Sequence, residues 1–355
     1  MKIFSRLGAL GSRFWRTLAM LVLAGVMSTL AWRALRPLVH ELTPQQAMAA
    51  LRALPPGHLL AALGLTVCSY LLLTFYDRLA LRMVESDVPL GTMMRASFTS
   101  YTLSHTLGFG AVTGGSARLR IYGQAGVSAA KVARVVVIAG IAFWVGLVTA
   151  ASLALLVNPA PVTLGGHTLP AGPARLVALA VLVLVPGGAV AARFFSGRFT
   201  PEWARSGWLA RMRQAITLPH PGAVLALVGV STLELSAAAA ALYVLLPHPQ
   251  GWHFAAFILA YAMGMTAGLV THVPGGLGVF EAVLLAALPE YAHGAANGQT
   301  GAATLAALLG YRIIYYMLPL VVAVGINLMI EGRHFWVRWR ARRARRHGAT
   351  GPAAS

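Results

Sequence analysis

Ionisable side chains within strongly apolar sequence are the residues of this chain most suited to specific chemistry. Glu234 lies midway along one apolar run, Glu281 follows a glycine-rich interruption, and Arg312 lies early in the last run. A charge at the centre of a lone membrane helix costs on the order of 2.5 to 3.5 kcal/mol, so we expect these groups to be paired or hydrated. Arg312 and Arg118 carry planar guanidinium groups, which suit the oxygen atoms of a lipid phosphate.

Two interpretations of these charges follow from the sequence. In the first, Arg312 forms an ion pair with Glu281 or Glu234 that only holds helices together. In the second, Arg312 and Arg118 bind a phosphate, with help from the free N–H groups of glycine-rich turns. The two glutamates then attract a cationic headgroup or carry a coupling proton. Arg118 also has a simpler explanation as an ordinary arginine of a cytoplasmic loop.

The stretch Thr271–Glu281 interrupts an apolar run with a proline and three glycines. Pro274 removes a helix hydrogen bond, and Gly275 and Gly276 let the backbone turn freely. Backbone groups left unpaired at membrane depth persist only when they are buried in protein or line a wet cavity. The interruption therefore predicts a binding site, in which we include His272.

Further candidates lie near these charges. Asp77 is most simply an ion-pair partner of Arg95 or Arg118 at the inner face. The predicted inner-face gate or ion-pair group is Asp77, Arg78, His105 and Arg120. The predicted substrate-binding group is Arg118, Glu234, His272, Gly275, Gly276, Glu281, Tyr311, Arg312 and Tyr315.

The histidines and tyrosines of these groups also have plainer explanations. His105 and His272 either titrate near neutral pH or act as hydrogen-bonded packing residues. Tyr311 and Tyr315 are most simply packing or interfacial aromatics. Tyr315 shares a helix face with Arg312, three residues away.

Composition identifies the class of protein that must position these residues. Of 355 residues, 58% are hydrophobic and 10% are charged, and the mean hydropathy is +0.71. Since about 20 apolar residues span a bilayer as a helix, the chain is predicted to cross a membrane repeatedly. The single cysteine, Cys68, excludes a disulfide framework and a thiolate metal site. No metal-ligand spacing, nucleotide loop or Ser-His-Asp arrangement occurs, so we predict no cofactor, no metal and no enzyme.

The net charge of +19 reflects membrane topology rather than nucleic-acid binding. Most of the 28 basic residues lie in short loops that flank apolar runs and in the C-terminal tail. Such a pattern is typical of cytoplasmic loops that face anionic lipid. We therefore predict a multi-pass protein of the bacterial inner membrane with both termini in the cytoplasm.

The predicted fold is an all-α polytopic membrane protein with about six spanning helices and two broken re-entrant segments. The spanning helices are expected at about 18–31, 58–81, 131–157, 174–192, 221–246 and 302–330. A simple crossing of 91–112 would leave Arg118, Arg120, Lys131 and Arg134 outside, against the positive-inside rule. A break at Gly108–Gly115 keeps them inside. The second re-entrant segment covers about 253–288 and breaks at Pro274–Gly278.

The order of helix, broken segment and helix occurs twice, which predicts an inverted-topology repeat. The first copy covers about 58–157 and the second about 221–331, within a membrane domain of residues 1–331. Residues 332–355 form a basic cytoplasmic tail. His105 and Gly114-Gly115 of the first copy correspond to His272 and Gly275-Gly276 of the second. Many transporters place their substrate site between two such copies.

Several motifs resemble those of one known family. They are Ser104-His-Thr-Leu-Gly-Phe-Gly, Gly114-Gly-Ser-Ala-Arg-Leu-Arg-Ile-Tyr122, His272-Val-Pro-Gly-Gly-Leu-Gly-Val-Phe-Glu281 and Tyr311-Arg-Ile-Ile-Tyr-Tyr-Met-Leu-Pro319. Together they resemble the lysylphosphatidylglycerol synthase/flippase transmembrane-domain family, over about residues 18–331. In bifunctional members this domain is thought to flip an aminoacylated phospholipid, while a separate soluble domain attaches the amino acid. The resemblance implies a stand-alone member that lacks the soluble domain.

The sequence thus predicts an inner-membrane lipid translocase, similar to a flippase, for a phosphate-bearing lipid that is aminoacylated or anionic. Its expected partners are membrane phospholipids, with no nucleic acid and an oligomeric state that the sequence leaves open. The alternative is a non-transporting scaffold or regulator of a phospholipid synthase, which would then be a protein partner. A third hypothesis, an intramembrane enzyme acting on a polyprenyl lipid or phospholipid, would require catalysis that depends on Glu281 or Glu234.

Overall fold

A computed structural model describes residues 44–158, 162–164, 167–195, 221–247, 253–271, 273–287 and 299–330. Several predictions concern residues outside these ranges. They are the first spanning helix at 18–31, His272 and the basic tail at 332–355.

Helices account for nearly all of the described residues. They are α1 (Pro44–Arg52), α2 (Pro56–Met83), α3 (Leu90–Leu107), α4 (Gly110–Gln124), α5 (Ala129–Val157), α6 (Ala171–Phe195), α7 (Pro221–Tyr243), α8 (Phe254–Val270), α9 (Val279–Ala287) and α10 (Gln299–Tyr311). Beyond α10 the chain continues as a π-helical stretch, Arg312–Met317, and then as helix to Ile330. We call the whole of Ala303–Ile330 the last rod.

Five of the described helices are long and apolar enough to cross a membrane: α2, α5, the first 18 residues of α6, α7 and the last rod. Their bounds lie within a few residues of the predicted ones. The chain is therefore a helical membrane protein. The remaining predicted span, 18–31, falls outside the described residues.

A short β-hairpin lies between the spanning helices predicted at 131–157 and 174–192. Strand β1 (Val162–Leu164) pairs antiparallel with β2 (His167–Leu169), with Thr163 opposite Thr168. β-Branched residues favour strands, and the segment carries three of them. The all-α prediction misses this hairpin because its strands are only three residues long.

The first predicted break is shorter than expected. The backbone leaves the helix only at Gly108 and Phe109, both with positive φ, and Gly114 and Gly115 are helical residues of α4. The prediction of a break that extends to Gly115 is therefore wrong. A Cβ on Gly114 would lie 2.2 Å from the Ser104 hydroxyl oxygen, so glycine here lets α4 fold back tightly against α3.

The second break lies where it was predicted. Between α8 and α9 the chain forms a 3₁₀ turn, Pro274–Gly276, in which Gly275 has φ +59° and Gly276 has φ +63°. α9 then folds back along α8. A Cβ on Gly268 of α8 would lie 3.1 Å from the Cα of Gly276, so small residues allow this close approach.

The π-helical stretch precedes a proline. Pro319 has no N–H to donate to the carbonyl group of Tyr315, four residues earlier. The hydroxyl of Tyr70 in α2 donates to that carbonyl instead, over 3.3 Å. π-Helical turns often occur at functional sites, and this one carries the buried side chains of Arg312, Tyr315 and Tyr316.

The core lies around α7, which packs against α2 and α5. Gly146 of α5 permits this contact, because a Cβ there would lie 2.2 Å from the Ser231 hydroxyl oxygen of α7. Large aromatic and aliphatic side chains from α7, α8 and the last rod complete the core. In contrast, α6 and the end of the last rod expose many aliphatic side chains, as expected of surfaces that face lipid.

Candidate functional site

The two breaks contact each other. A Cβ on Gly275 in the second break would lie 3.4 Å from the carbonyl oxygen of His105 and 3.5 Å from that of Thr106, in the last turn of α3. Between the breaks is a cavity of about 70 Å³, which we call the central cavity. It is lined by Ser104, His105, Gly108, Phe109, Gly264, Met265, Gly268, Leu269, Val273, Gly275, Gly276, Phe280 and Tyr316.

Arg312 lies behind this lining and binds the second break. Its Nε donates to Glu281 Oε1 over 2.7 Å, its Nη2 donates to the same oxygen, and its Nη1 donates to the carbonyl of Gly275. The second carboxylate oxygen, Oε2, accepts the N–H of Gly278 over 2.8 Å. Of the two pairs that the sequence left open, Arg312 thus forms the one with Glu281. The pair holds the turn against the last rod.

Aromatic rings cover the guanidinium group of Arg312. Its Cζ lies 4.7 Å from the ring centre of Tyr316 and 5.7 Å from that of Phe280, and both rings also line the central cavity. Arg312 is 9% exposed and Glu281 is 5% exposed. The guanidinium group is therefore shielded from water by these two rings and by its ion pair with Glu281.

A second buried ion pair joins α2 to α4. Arg118 donates through Nε and Nη2 to the two carboxylate oxygens of Asp77, over 3.0 and 2.8 Å, and the hydroxyl of Tyr122 donates to Asp77 over 2.6 Å. The guanidinium lies 4.4 Å from the ring centre of Tyr101. Arg95, the other partner considered for Asp77, donates to Asn327 of the last rod instead. In the structure, Arg118 and Arg312 are held by different carboxylates.

His105 lies between the two pairs. Its ring centre is 6.1 Å from that of Tyr101 beside Arg118, and 6.3 Å from that of Tyr316 beside Arg312. It also stacks on Tyr315 at 5.8 Å. The Nδ1 atom of His105 is buried and has no hydrogen-bond partner among the described residues. This histidine therefore lies at the wall of the central cavity, and not among exposed inner-face groups.

Glu234 occupies a hydroxyl-rich position next to the site. Its Oε1 accepts hydrogen bonds from Ser69 over 2.8 Å and from Tyr315 over 3.2 Å. Tyr315 also stacks on Tyr311, with 5.1 Å between ring centres, and the hydroxyl of Tyr311 lies 2.8 Å from that of Tyr261. The structure thus brings three predicted residues, Glu234, Tyr311 and Tyr315, into one buried polar network.

Arg78 and Arg120 lie apart from these groups. Arg78 is exposed and lines a cavity of about 330 Å³ with Arg82 and Asp87 at the end of α2. Arg120 is also exposed and lines a cleft of about 370 Å³ between α3, α4 and the last rod, next to Asn327. Neither residue joins the ion pair of Asp77.

Several residues of the site were not singled out from the sequence. They are Ser69, Tyr70, Tyr101 and Tyr261, which contact the charged groups or their tyrosine partners. A signal for some of them exists in α2. Its polar residues recur at helical spacing and define one buried stripe, which consists of Thr66, Ser69, Tyr70, Tyr76 and Asp77.

Within the described ranges, no three His, Cys, Asp or Glu side chains lie close enough together to hold a metal ion. The acidic groups of the site are instead arranged around arginine guanidinium and tyrosine hydroxyl groups. Such an arrangement is suited to the recognition of charged groups.

Comparison with known proteins gives the family. The family described as lysylphosphatidylglycerol synthase TM region matches residues 16–323. The chain belongs to this family. Among its relatives, the uncharacterized protein slr0712 of Synechocystis is 30% identical over 289 residues, which cover 79% of this chain and 82% of the relative. The inner membrane protein YbhN of Escherichia coli is 28% identical over 277 residues, covering 78% and 80% of the two chains.

The part of the chain assigned to the lysylphosphatidylglycerol synthase TM region contains the whole candidate site. Both breaks, both buried ion pairs and Glu234 lie between residues 16 and 323, whereas Asn327 lies beyond the matched residues. The family name describes a membrane region, and the name of YbhN places that relative in an inner membrane.

Proposed function

We propose that this chain is a flippase-like lipid translocase of the bacterial inner membrane, and that the central cavity binds the phosphate of its lipid. One observation carries the proposal: two breaks in the membrane helices meet at a cavity backed by a buried arginine. Arg312 binds Gly275 in the second break and Glu281 in α9, the helix that follows it. Binding of a phosphate to Arg312 would therefore act directly on the break.

The proposed binding step is an exchange of partners. A lipid phosphate takes the place of Glu281 on the guanidinium of Arg312, since the planar fork suits phosphate as well as carboxylate. The released carboxylate then faces the ligand and attracts a cationic headgroup such as an aminoacyl amine. The glutamate also rejects an anion when no cation accompanies it, which favours aminoacylated over simple anionic lipids.

The central cavity is small for a lipid headgroup. It measures about 70 Å³, whereas typical ligand pockets measure roughly 300 Å³ or more. Entry of a headgroup therefore requires the turn at Pro274–Gly276 to separate from the end of α3. In the proposed cycle, this separation opens the cavity to one leaflet at a time.

We also propose the topology that such a cycle needs. The two hairpins, α3 with α4 and α8 with α9, enter the membrane from opposite sides as inverted repeats, at about 58–157 and 221–331. They belong to a membrane domain of residues 1–331 with about six spanning helices and cytoplasmic termini, followed by a tail at 332–355. The fold-back of each hairpin at its break supports the arrangement, as does the distribution of basic residues.

Reconstituted vesicles provide the test. Purified protein is incorporated into liposomes with fluorescent aminoacylated or anionic phospholipid, and the fraction accessible to an external quencher is followed over time. We expect the parent protein to accelerate exchange between leaflets and both Arg312→Ala and Glu281→Gln to slow it at least tenfold. Arg52→Ala, at an exposed position outside the site, is the matched control and should exchange lipid at the parental rate.

Two results would contradict the proposal. The first is exchange by Arg312→Ala and Glu281→Gln that is as fast as exchange by the parent. The second is a parent protein that moves none of the lipids but purifies with a phospholipid synthase in fixed stoichiometry. That second result would support the scaffold hypothesis. Product formed by the purified protein alone, and lost in Glu281→Gln, would instead indicate an enzyme.

A further inference from the structure

Glu234 is a buried carboxyl group whose described hydrogen-bond partners are all hydroxyl groups. Ser69 donates to its Oε1 over 2.8 Å and Tyr315 over 3.2 Å, and these two hydroxyl oxygens are 2.9 Å apart. The residue is 6% exposed. Together the three groups form a closed triangle between α2, α7 and the last rod.

The other buried carboxylates of the core, Asp77 and Glu281, each form an ion pair with an arginine, and neither pair involves Glu234. Asp77 is paired with Arg118, and Glu281 is paired with Arg312. No lysine or arginine of the described ranges lies within ion-pair distance of Glu234. An ionised carboxylate that is buried without a counter-ion is strongly disfavoured, and such groups take up a proton instead.

The titratable groups that face Glu234 leave it without a cation. They are Tyr70 and Tyr76 of α2, Tyr261 of α8, and Tyr315 and Tyr316 of the last rod. The basic residues of the neighbouring α5 and α6 all lie within six residues of the ends of those helices. A phenol donates a hydrogen bond to a carboxylate but does not neutralise it. The surroundings of Glu234 therefore favour the uncharged acid.

We infer that Glu234 is a proton-binding site, which takes up one proton on its carboxylate and thereby changes from charge −1 to 0. The same site fits a metal cation poorly, because hard cations take about six oxygen ligands or more, whereas Glu234, Ser69 and Tyr315 supply two carboxylate oxygens and two hydroxyl oxygens. Coupling of this proton to lipid movement rests on the proposed function. Proton binding itself does not.

The π-helical stretch connects the proton site with the lipid site. Tyr315, which donates to Glu234, lies three residues after Arg312, which binds Glu281. His105 stacks on Tyr315 and also lines the central cavity. When Glu234 loses its proton, the carboxylate attracts both hydroxyl donors more strongly, which draws Tyr315 toward α7. Movement of Tyr315 then shifts its neighbours at the cavity wall.

Infrared spectroscopy of the purified protein tests proton binding without any transport. At neutral pH we expect the carbonyl stretching band of a protonated carboxylic acid, which shifts on transfer to D₂O and is absent from Glu234→Gln. Glu85→Gln, at an exposed position outside the site, is the control and should keep the band. Ser69→Ala, which removes one donor but not the acid, should move the band. A band that persists in Glu234→Gln, or its absence from the parent, overturns the inference.

Transport in vesicles tests the coupling. With a pH difference across the membrane, we expect the parent to move lipid severalfold faster in one direction than in the other, and Glu234→Gln to lose this directionality. Directionality that follows a sodium gradient at equal pH would overturn the proton assignment. If no lipid moves at all while the infrared band behaves as expected, then the proposed function fails and the proton site stands.

Discussion

Arg312 and Tyr315 lie one turn apart in the last rod and bond to different buried glutamates. Arg312 donates to Glu281 of α9, whereas the hydroxyl of Tyr315 donates to Glu234 of α7. A rotation of this short segment would therefore change both contacts together. Since α9 follows the second break and α7 contacts α2 and α5, one segment of the chain links the mobile part of the proposed cycle to the fixed core.

The Arg312–Glu281 pair is expected to be necessary for transport but replaceable for folding. Arg312→Met leaves Glu281 buried without its cation and should destabilise the protein by about 3–5 kcal/mol. The double variant Arg312→Met with Glu281→Met removes both charges and should recover most of the stability. Lipid exchange should stay low in both. Thermal unfolding in detergent and the vesicle assay provide the two measurements, and normal exchange by the double variant would make the pair purely structural.

The Asp77–Arg118 pair is expected to behave in the opposite way. Both side chains are fully engaged, because each makes two contacts with the other and Tyr122 adds a third donor. Asp77→Asn should cost about 3–5 kcal/mol of stability. The double variant Asp77→Met with Arg118→Met should regain both stability and lipid exchange. If the double variant is stable yet inactive, Arg118 takes part in binding lipid after all.

Gly275 is expected to tolerate no side chain. Its φ of +59° is costly for other residues, about 1–2 kcal/mol, and a Cβ would lie 3.4 Å from Nη1 of Arg312. Gly275→Ala should therefore lower the unfolding temperature and slow lipid exchange. The control is Gly140→Ala in the middle of α5, where nothing lies within 4 Å of the added methyl group. Equal behaviour of the two variants would show that the turn is not constrained as described.

Close packing of α3 and α4 is tested by another pair of glycines. A Cβ on Gly114 would lie 2.2 Å from the hydroxyl oxygen of Ser104 and 2.7 Å from the carbonyl oxygen of Ser100. Because overpacking of this kind forces the helices apart, Gly114→Ala should cost about 1–3 kcal/mol. Gly123→Ala, in the same helix but in open space, should be neutral or slightly stabilising. A harmless Gly114→Ala would mean that the two helices are less tightly packed.

Cysteine labelling tests the proposed topology. Cys68 is first replaced by serine, since it is the single cysteine of the chain. A cysteine at Asp87, after α2, should then react with a membrane-impermeant reagent only from the cytoplasmic side. A cysteine at Pro170, before α6, should react only from the outside. Both positions are exposed in the structure. Reaction of both from the same side would contradict a spanning α5.

The spanning helices and the second break could be predicted from the sequence because both depend on local composition. An apolar run long enough to span lipid predicted α2 as 58–81, against Pro56–Met83 observed. Pro274 with two glycines in such a run predicted an interruption, and a turn lies there. In both cases the residues themselves determine the backbone, whatever the partner helices do.

Features that depend on contacts between helices could not be predicted as well from the sequence. Glycine serves both for turning and for close packing, so Gly114 was assigned to a break although it packs α4 against α3. Likewise, the sequence left Arg95 and Arg118 as alternative partners of Asp77, and only the tertiary structure shows that Asp77 pairs with Arg118. The hairpin at Val162–Leu169 is too short for its composition to distinguish it from a loop.

A π-helical turn holds about one residue more than an α-helical turn, so the last rod beyond Met317 is offset by roughly 100° from regular α-helical continuation. The rod has polar partners on different neighbours on the two sides of Ile313, with Glu281 bonded to Arg312 and with Arg95 and Thr99 bonded to Asn327. Deleting one residue at the exposed Ile313 would let the helix become regular, and one of these two sides would then lose its partner. The extra residue thus rotates the side chains that follow it about the helix axis. This rotation lets one helix bond to Glu281 through Arg312 and to α3 through Asn327, which a regular α-helix would not allow.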